Sequence, residues 1–163
     1  MIGLEMRRIN SERGASMVEF ALILPILLVL LFGIIEFGFL LYDKAMITNA
    51  ARESARAGIL FSRKPETEIL EVATNYCNSR MITFSAGSPD ISVELRVRDN
   101  PSDSTEMVYD PATFSRGQYL RVTTNYNYTF LIITNLINLL NAVGGTDIPV
   151  TVPLSSTSIM RAE

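Results

Sequence analysis

The stretch that decides the fold is Phe20–Tyr42, which reads FALILPILLVLLFGIIEFGFLLY and contains one charged residue, Glu36. A helix needs about 20 residues at 1.5 Å each to cross the hydrocarbon core of a bilayer. This stretch is long enough and is apolar on every side, whereas a buried helix of a globular core is normally amphipathic. The sequence therefore predicts one membrane-spanning helix over residues 20–42, with a buried core helix as the alternative.

The composition argues against several classes of function. The 163 residues include no His and one Cys, and the formal net charge is −3. Without His the chain lacks the commonest general base and the commonest metal ligand, and a single Cys forms no intramolecular disulfide. Nucleic-acid binding normally requires an excess of Lys and Arg. We therefore expect no enzyme activity, no cofactor, no metal site and no nucleic-acid partner.

The residues before the apolar stretch form a polar, basic leader that ends in small residues. The three arginines of the leader favour a cytoplasmic N-terminus, with the rest of the chain on the other side of the membrane. A secretory signal has its small-residue cleavage site directly after the apolar run, but here Gly14, Ala15 and Ser16 precede it. Cleavage at this junction would leave the apolar helix on the mature protein.

The run GASMVEFALILPILLVLLFGIIEFG (residues 14–38) and the later NAARESARAG (residues 49–58) resemble the TadE-like family, the minor pilins and pseudopilins of Flp/Tad type IV pili. The resemblance covers residues 12–58, is faint over the last six residues and is absent between. It implies that prepilin peptidase cleaves between Gly14 and Ala15. It also implies a single-pass protein of the bacterial inner membrane, whose N-terminus is cytoplasmic before processing and whose C-terminal domain is periplasmic or extracellular.

The resemblance also implies partners and a role. The partners would be the prepilin peptidase, the major Flp pilin, a second TadE/TadF-like minor pilin and the inner-membrane assembly platform. The protein would be a minor pilin that enters, primes or caps a Tad pilus used in adhesion. The alternative is a membrane-anchored binding module that faces away from the cytoplasm and never enters a fibre.

Two acidic residues of the long helix are candidate assembly residues. The resemblance implies that Glu19, fifth in the mature chain, pairs with the new α-amino group of Ala15 and sets the register of docking. An acid in the first helical turn also favours the positive end of the helix dipole without any partner. Glu36 lies about 25 Å further along the helix. We expect Glu36 near the outer interface, in reach of water or of a base on a partner subunit.

The residues after the membrane continue the helix. Small and apolar residues recur at i, i+3 and i+4 and predict one smooth packing face, composed of Met46, Ile47, Ala50, Ala51, Ser54 and Ala55. Arg52 and Arg56 fall on the polar face, where they would contact either acids of a partner or solvent. Gly58 is expected to cap the helix C-terminus. A single helix from Ala15 to Gly58 would be roughly 66 Å long.

The remaining residues predict a small α+β domain. A helix begins near Ser62 and Pro65, with Cys77 on its buried face as a small hydrophobe or, alternatively, as half of an intermolecular disulfide. An amphipathic helix covers 131–143 and ends at Gly144 and Gly145. Alternating apolar residues predict antiparallel strands over 91–97 and 120–128, a short strand near 107–109, and a third long strand over 148–161 that is bent or split at Pro149 and Pro153.

The expected fold is therefore α+β: a long N-terminal helix, half transmembrane and half amphipathic, packed on a small antiparallel sheet with one or two short helices. The expected domains are a leader (1–14), the long helix (15–58, spanning the membrane over about 20–42) and an extracytoplasmic pilin-like domain (59–163).

The loop between the first two long strands carries four acids: Asp99, Asp103, Glu106 and Asp110. These acids would be solvated or would bind calcium, although they lack the EF-hand spacing.

Overall fold

The computed structural model of the chain describes residues 11–60, 64–83, 89–130, 132, 134–144 and 148–163. It divides into two compact units, Met1–Ile35 and Glu36–Glu163. Three helices and four strands are described, in the order α1 (Ser11–Leu60), α2 (Glu66–Arg80), β1 (Ile91–Arg98), β2 (Met107–Val108), β3 (Tyr119–Thr129), α3 (Thr134–Gly144) and β4 (Thr151–Arg161). The strands form one antiparallel sheet in the order β2-β1-β3-β4. The expected α+β fold class is confirmed.

The C-terminal half of α1 packs through the small-residue face that the spacing predicts. The side chains of Ile47, Ala50 and Ala51 are fully buried, as are those of Ser54 and Ala55, while the expected Met46 is only partly buried. Short side chains allow the helix axis to approach the neighbouring elements closely, which helps dense packing in this part of the core. This face, rather than helix propensity, therefore holds the end of α1 to its unit.

Gly58 does not cap α1, contrary to the expectation from sequence. The helix continues to Leu60, and Gly58 is buried against the side chains of Leu120 and Ile69. A Cβ atom at this position would overlap the Leu120 side chain and would lie 3.2 Å from Cδ1 of Ile69. Two buried side chains occupy the space that a larger residue would fill, so a substitution here would force at least one of them to shift.

The inner face of the sheet follows the predicted alternation. In β3, Leu120, Val122 and Thr124 are buried, and the residues between them are only partly buried. The buried residues form two clusters, of which the first joins α1 and α2 to one end of the sheet through Ala55, Ile69 and Leu120. The second joins them near the other end, and its fully buried members from the two helices are Ile47, Ala50, Ala73 and Cys77.

Strand β4 is continuous, so the expected bend or split is wrong. Pro153 lies inside the strand opposite Asn127, and Pro149 lies before it. The hydrogen bond from Phe130 N–H to Val150 C=O, at 3.0 Å, fixes which register pairs bond to each other. Because bonded and non-bonded pairs alternate, Pro153 falls at a non-bonded pair. Its missing N–H therefore faces the open edge of the sheet, where proline is tolerated.

We predict that Gly58→Ala destabilises the protein, because the added methyl group overlaps a buried side chain and overpacking typically costs about 1–3 kcal/mol. The control is Gly38→Ala, since no atom lies within 4 Å of a Cβ built there and helix propensity alone favours Ala by about 0.5–1 kcal/mol. Urea unfolding of the full chain in detergent micelles measures both. Equal or greater stability of the Gly58→Ala variant would contradict the packing role.

Candidate membrane-anchoring and assembly site

The apolar run of α1 presents its side chains outward around the whole helix. One described helix, within Gly14–Leu60, is long and apolar enough to cross a membrane, and none of its most apolar 18-residue window is buried. Ile26, for example, is 71% exposed. Removing apolar area from water stabilises a protein by roughly 25 cal/mol per Å². An exposed apolar surface of this size is therefore unfavourable in water. The helix is suited to single-pass membrane anchoring.

The predicted cleavage junction lies on the same helix. Gly14, Ala15 and Glu19 are all helical and exposed, and no atom lies within 4 Å of a Cβ built at Gly14. In the uncleaved chain the nitrogen of Ala15 belongs to a peptide bond and carries no charge. The pairing of Glu19 with that nitrogen is therefore possible only after cleavage, and both roles stay predictions.

Glu36 is bound inside its own unit, which the sequence did not predict. Its side chain is only 2% exposed, so the expectation that the carboxylate reaches water is wrong for the single chain. The hydroxyl of Tyr128 donates a hydrogen bond of 2.6 Å to Oε1, and the backbone N–H of Ile132 donates one of 2.7 Å to Oε2. Both oxygens thus have a donor, which offsets much of the cost of burying a carboxylate.

The Tyr128 hydroxyl, which donates to Glu36, is kept protonated by its surroundings. Burial raises the pKa of the Tyr128 hydroxyl, and the hydrogen bond and negative charge of Glu36 raise this pKa further. The phenol therefore remains a donor at any physiological pH. The resulting contact connects α1 to the end of β3 and to the residues that lead into α3, which are more than 90 positions away in sequence.

A second acidic residue of α1 binds the end of α2. Oδ1 of Asp43 accepts a hydrogen bond of 3.1 Å from the N–H of Ile82, and the hydroxyl of Tyr42 donates one of 3.0 Å to the C=O of Arg80. A signal for these contacts was present in the sequence: Glu36 and Asp43 are spaced i, i+7 and fall on the same helix face as Ile47. That spacing could have assigned both acids to the buried side.

Cys77 is a buried hydrophobe, as expected from its helix face. Its side chain is fully buried, and burial together with the nearby charge of Asp43 raises the pKa of its thiol to about 11. Thiol–disulfide exchange requires the thiolate. The intermolecular disulfide left open by the sequence is thus disfavoured in the folded chain.

Arg52 and Arg56 lie on the exposed side of α1. Neither forms a salt bridge within 4.0 Å with any other residue that the structure describes. An exposed arginine can bind the carboxylate of a partner in a bidentate manner or remain solvated. Both interpretations of the two arginines therefore stay open.

Three of the four acids in the loop after β1 are engaged by their own neighbours. Arg98 and Arg121 both contact Oε1 of Glu106, and their hydrogen bonds lower the pKa of this carboxyl. Asp99 and Asp110 accept hydrogen bonds of 2.8 and 2.9 Å from other loop residues. Within the described ranges, no group of three or more acidic, Cys or His side chains is arranged to hold a metal ion.

The fold and this site define a class of protein: an α+β unit attached to a single apolar helix that is suited to membrane anchoring. A family model described as "TadE-like protein" matches residues 14–56, which confirms the resemblance inferred from sequence. The match begins at Gly14 and ends at Arg56, so it covers 43 of the 163 residues (56 − 14 + 1). Similarity to this family indicates a protein associated with the Tad pilus. No curated protein and no solved structure matches the chain.

We predict that Tyr128→Phe destabilises the protein by about 1.5–3 kcal/mol, the usual contribution of a hydrogen bond to a charged group. The variant leaves a buried carboxylate oxygen without this donor. The control is Tyr119→Phe, which removes the same atom from the other face of β3. Urea unfolding of the full chain in micelles gives both values, and a loss no larger than that of the control would contradict the role of the Glu36 contact.

Proposed function

We propose that the protein is a minor pilin or pseudopilin of a Tad type IV pilus, processed by prepilin peptidase and acting in pilus assembly, priming or adhesion. The observation that supports this most is the family match, which starts at Gly14 and continues through the apolar helix. A leader junction placed before a retained membrane helix is what a subunit of this kind requires. A secretory signal, by contrast, is cut after its apolar run.

The exposed apolar helix supplies a physical route into the fibre. In the membrane its side chains contact lipid, and in a pilus they would contact the corresponding helices of other subunits. Apolar surface stays out of water in both places, so extraction exchanges one apolar environment for another. Association between such helices then depends on packing and on polar contacts rather than on a net gain in burial.

Glu19 is the proposed register residue. A carboxylate at the edge of the hydrocarbon costs a few kcal/mol unless it is paired. Cleavage after Gly14 creates an α-amino cation at Ala15, four residues before Glu19 and about one helical turn away. Pairing of these groups within or between subunits would favour one depth of insertion over neighbouring ones.

The proposed partners follow from the role. They are the prepilin peptidase at the junction, the major Flp pilin and a TadE/TadF-like minor pilin along the helix, and the inner-membrane assembly platform. Arg52 and Arg56, exposed on α1, are proposed as contacts to acidic groups of one of these proteins. The N-terminus lies in the cytoplasm before processing, and the α+β unit lies in the periplasm or outside the cell.

A second function remains a candidate because the family match ends at Arg56 and leaves α2, the sheet and α3 unmatched. In this alternative the unit from Glu36 onward is a binding module, held permanently at the membrane by α1. The two functions differ in where the protein is found. Mechanical shearing of cells would release a pilus subunit together with the fibres but would leave an anchored module in the membrane.

We predict that Gly14→Phe blocks processing, because a bulky side chain replaces the small residue before the scissile bond. On a gel the variant should migrate as a precursor that retains the 14-residue leader. The control is Gly3→Phe, which alters the leader away from the junction and should be processed normally. Normal processing of the Gly14→Phe variant in cells with active peptidase would contradict the proposed site.

We predict that Glu19→Ala is processed normally but is depleted from sheared pili, because the new amino group of Ala15 loses its partner. The matched control is Glu53→Ala, which removes an exposed acid from α1 beyond the apolar run and should enter pili as the parent does. Immunoblots of the sheared and membrane fractions measure the distribution. Equal amounts of the Glu19→Ala variant and the parent in pili would exclude the register role.

A further inference from the structure

The sheet ends on one side in the short strand β2 and on the other in the long strand β4. Along a strand of an antiparallel sheet, the backbone N–H and C=O groups of successive residues point to alternate sides. The register of β3 with β4 and the hydrogen bond from Phe130 N–H to Val150 C=O show that the even-numbered residues of β4 bond to β3. The backbone groups of Thr157, Ile159 and Arg161 therefore point to the open edge.

Only the first half of the β4 edge is protected against pairing with another strand. Pro153 offers no N–H, and Nζ of Lys44 donates a hydrogen bond to the outward C=O of Ser155. Prolines and lysines at a sheet edge are devices that prevent such pairing. Among the described residues, no hydrogen bond engages the outward backbone groups of Thr157 or Ile159. The second half of β4 is therefore able to accept a further strand.

The β2 edge is accessible over a similarly short length. The odd-numbered residues of β3 bond to even-numbered residues of β1, which leaves the odd-numbered residues of β1 to bond to β2. The pair of Val97 with Met107 is therefore a bonded pair, and the backbone groups of Glu106 and Val108 point away from the sheet. The side chains of Met107 and Val108 are 44% and 64% exposed, so both faces of this edge present an exposed apolar residue.

The two edges complement each other in direction and in side chains. Each strand is antiparallel to the next in the order β2-β1-β3-β4, so β2 and β4 run in opposite directions. A second copy placed beside the first in the same orientation therefore presents its β2 antiparallel to β4. In one register two apolar pairs, one on each face of the sheet, lie beside an ion pair. These pairs are Ile159 with the second copy's Val108, Met160 with its Met107, and Arg161 with its Glu106.

We propose that two copies of this chain associate by strand addition, with the β2 edge of one copy joined to the second half of β4 of the other. Backbone hydrogen bonds would supply affinity, and the opposed side chains would fix the register. The contact is heterologous, so each added copy leaves one edge of each kind open for the next. It requires neither cleavage after Gly14 nor entry into a pilus, and so goes beyond the proposed function.

Charge favours this arrangement over the pairing of β4 with a second β4. A symmetric pairing centred on Ile159 would place Arg161 opposite Thr157 and would give the arginine no acid. In the proposed register Arg161 faces Glu106, whose two intramolecular arginine contacts are both made through Oε1. Its Oε2 is left for a third donor. The other nearby acid of this strand end, Glu163, falls opposite an uncharged residue of the second copy, position 104.

Disulfide cross-linking of the full chain in an excess of detergent micelles tests the contact. Two copies with different tags are mixed, one carrying Val108→Cys and the other Ile159→Cys, and are oxidised with copper phenanthroline. The Cα atoms of a bonded pair lie about 5.5 Å apart, which a disulfide can span. The native Cys77 is fully buried and serves as the unreactive background. The matched control replaces Ile159→Cys by Ser92→Cys, which is exposed on the same face but on the inner strand β1.

We expect a mixed-tag dimer from Val108→Cys with Ile159→Cys, in clear excess over the Ser92→Cys control. Adding Arg161→Glu to the Ile159→Cys copy should remove most of this dimer, whereas Arg80→Glu, an exposed charge at the end of α2, should leave it unchanged. A yield no higher than that of the control overturns the contact. A dominant dimer of Ile159→Cys with itself also overturns it, because β4 then pairs with β4. Unchanged cross-linking in the Arg161→Glu variant overturns the proposed register.

Discussion

A helix that is apolar on all sides is stable only where lipid or other apolar helices surround it, and the rest of this structure depends on that constraint. In the single chain the run over residues 20–35 presents its side chains outward. From Glu36 onward the same helix becomes one-sided, with buried small residues on one face and Arg52 and Arg56 on another. The helix α1 therefore has one part that is suited to an apolar environment and a second part that packs against the sheet of its unit.

Glu36 stands at that change, and its hydrogen bonds explain how an acid is tolerated there. The two donors, one from Tyr128 and one from the backbone of Ile132, satisfy both carboxylate oxygens. A buried acid that lost its donors would be strongly unfavourable, so the contact holds the end of β3 beside this point of α1. The charge that interrupts the apolar run is therefore part of the fold of the second unit.

Local periodicity was sufficient to predict most of the architecture. The alternation in Leu120, Val122 and Thr124 gave the central strand, and the small-residue spacing gave the packing face of α1. Each of the two signals is contained within a short stretch of neighbouring residues. They require no knowledge of which elements meet, and they were confirmed together with the α+β class.

The features that sequence did not predict are those that long-range contacts decide. Gly58 is a packing position because Leu120 occupies the adjacent space, and Pro153 is tolerated because its strand lies at a sheet edge. Glu36 is buried because of residues more than 90 positions away. The proposed assembly residues of α1, Ala15 and Glu19, are exposed, and their roles stay predictions.

The most direct test of the central claim is N-terminal sequencing and intact mass measurement of the protein isolated from cell membranes. We predict that the first residue is Ala15 and that the mass includes the whole apolar run. A chain that still begins at Met1 in cells with active peptidase, or one that begins after Tyr42 and so lacks the helix, would contradict it.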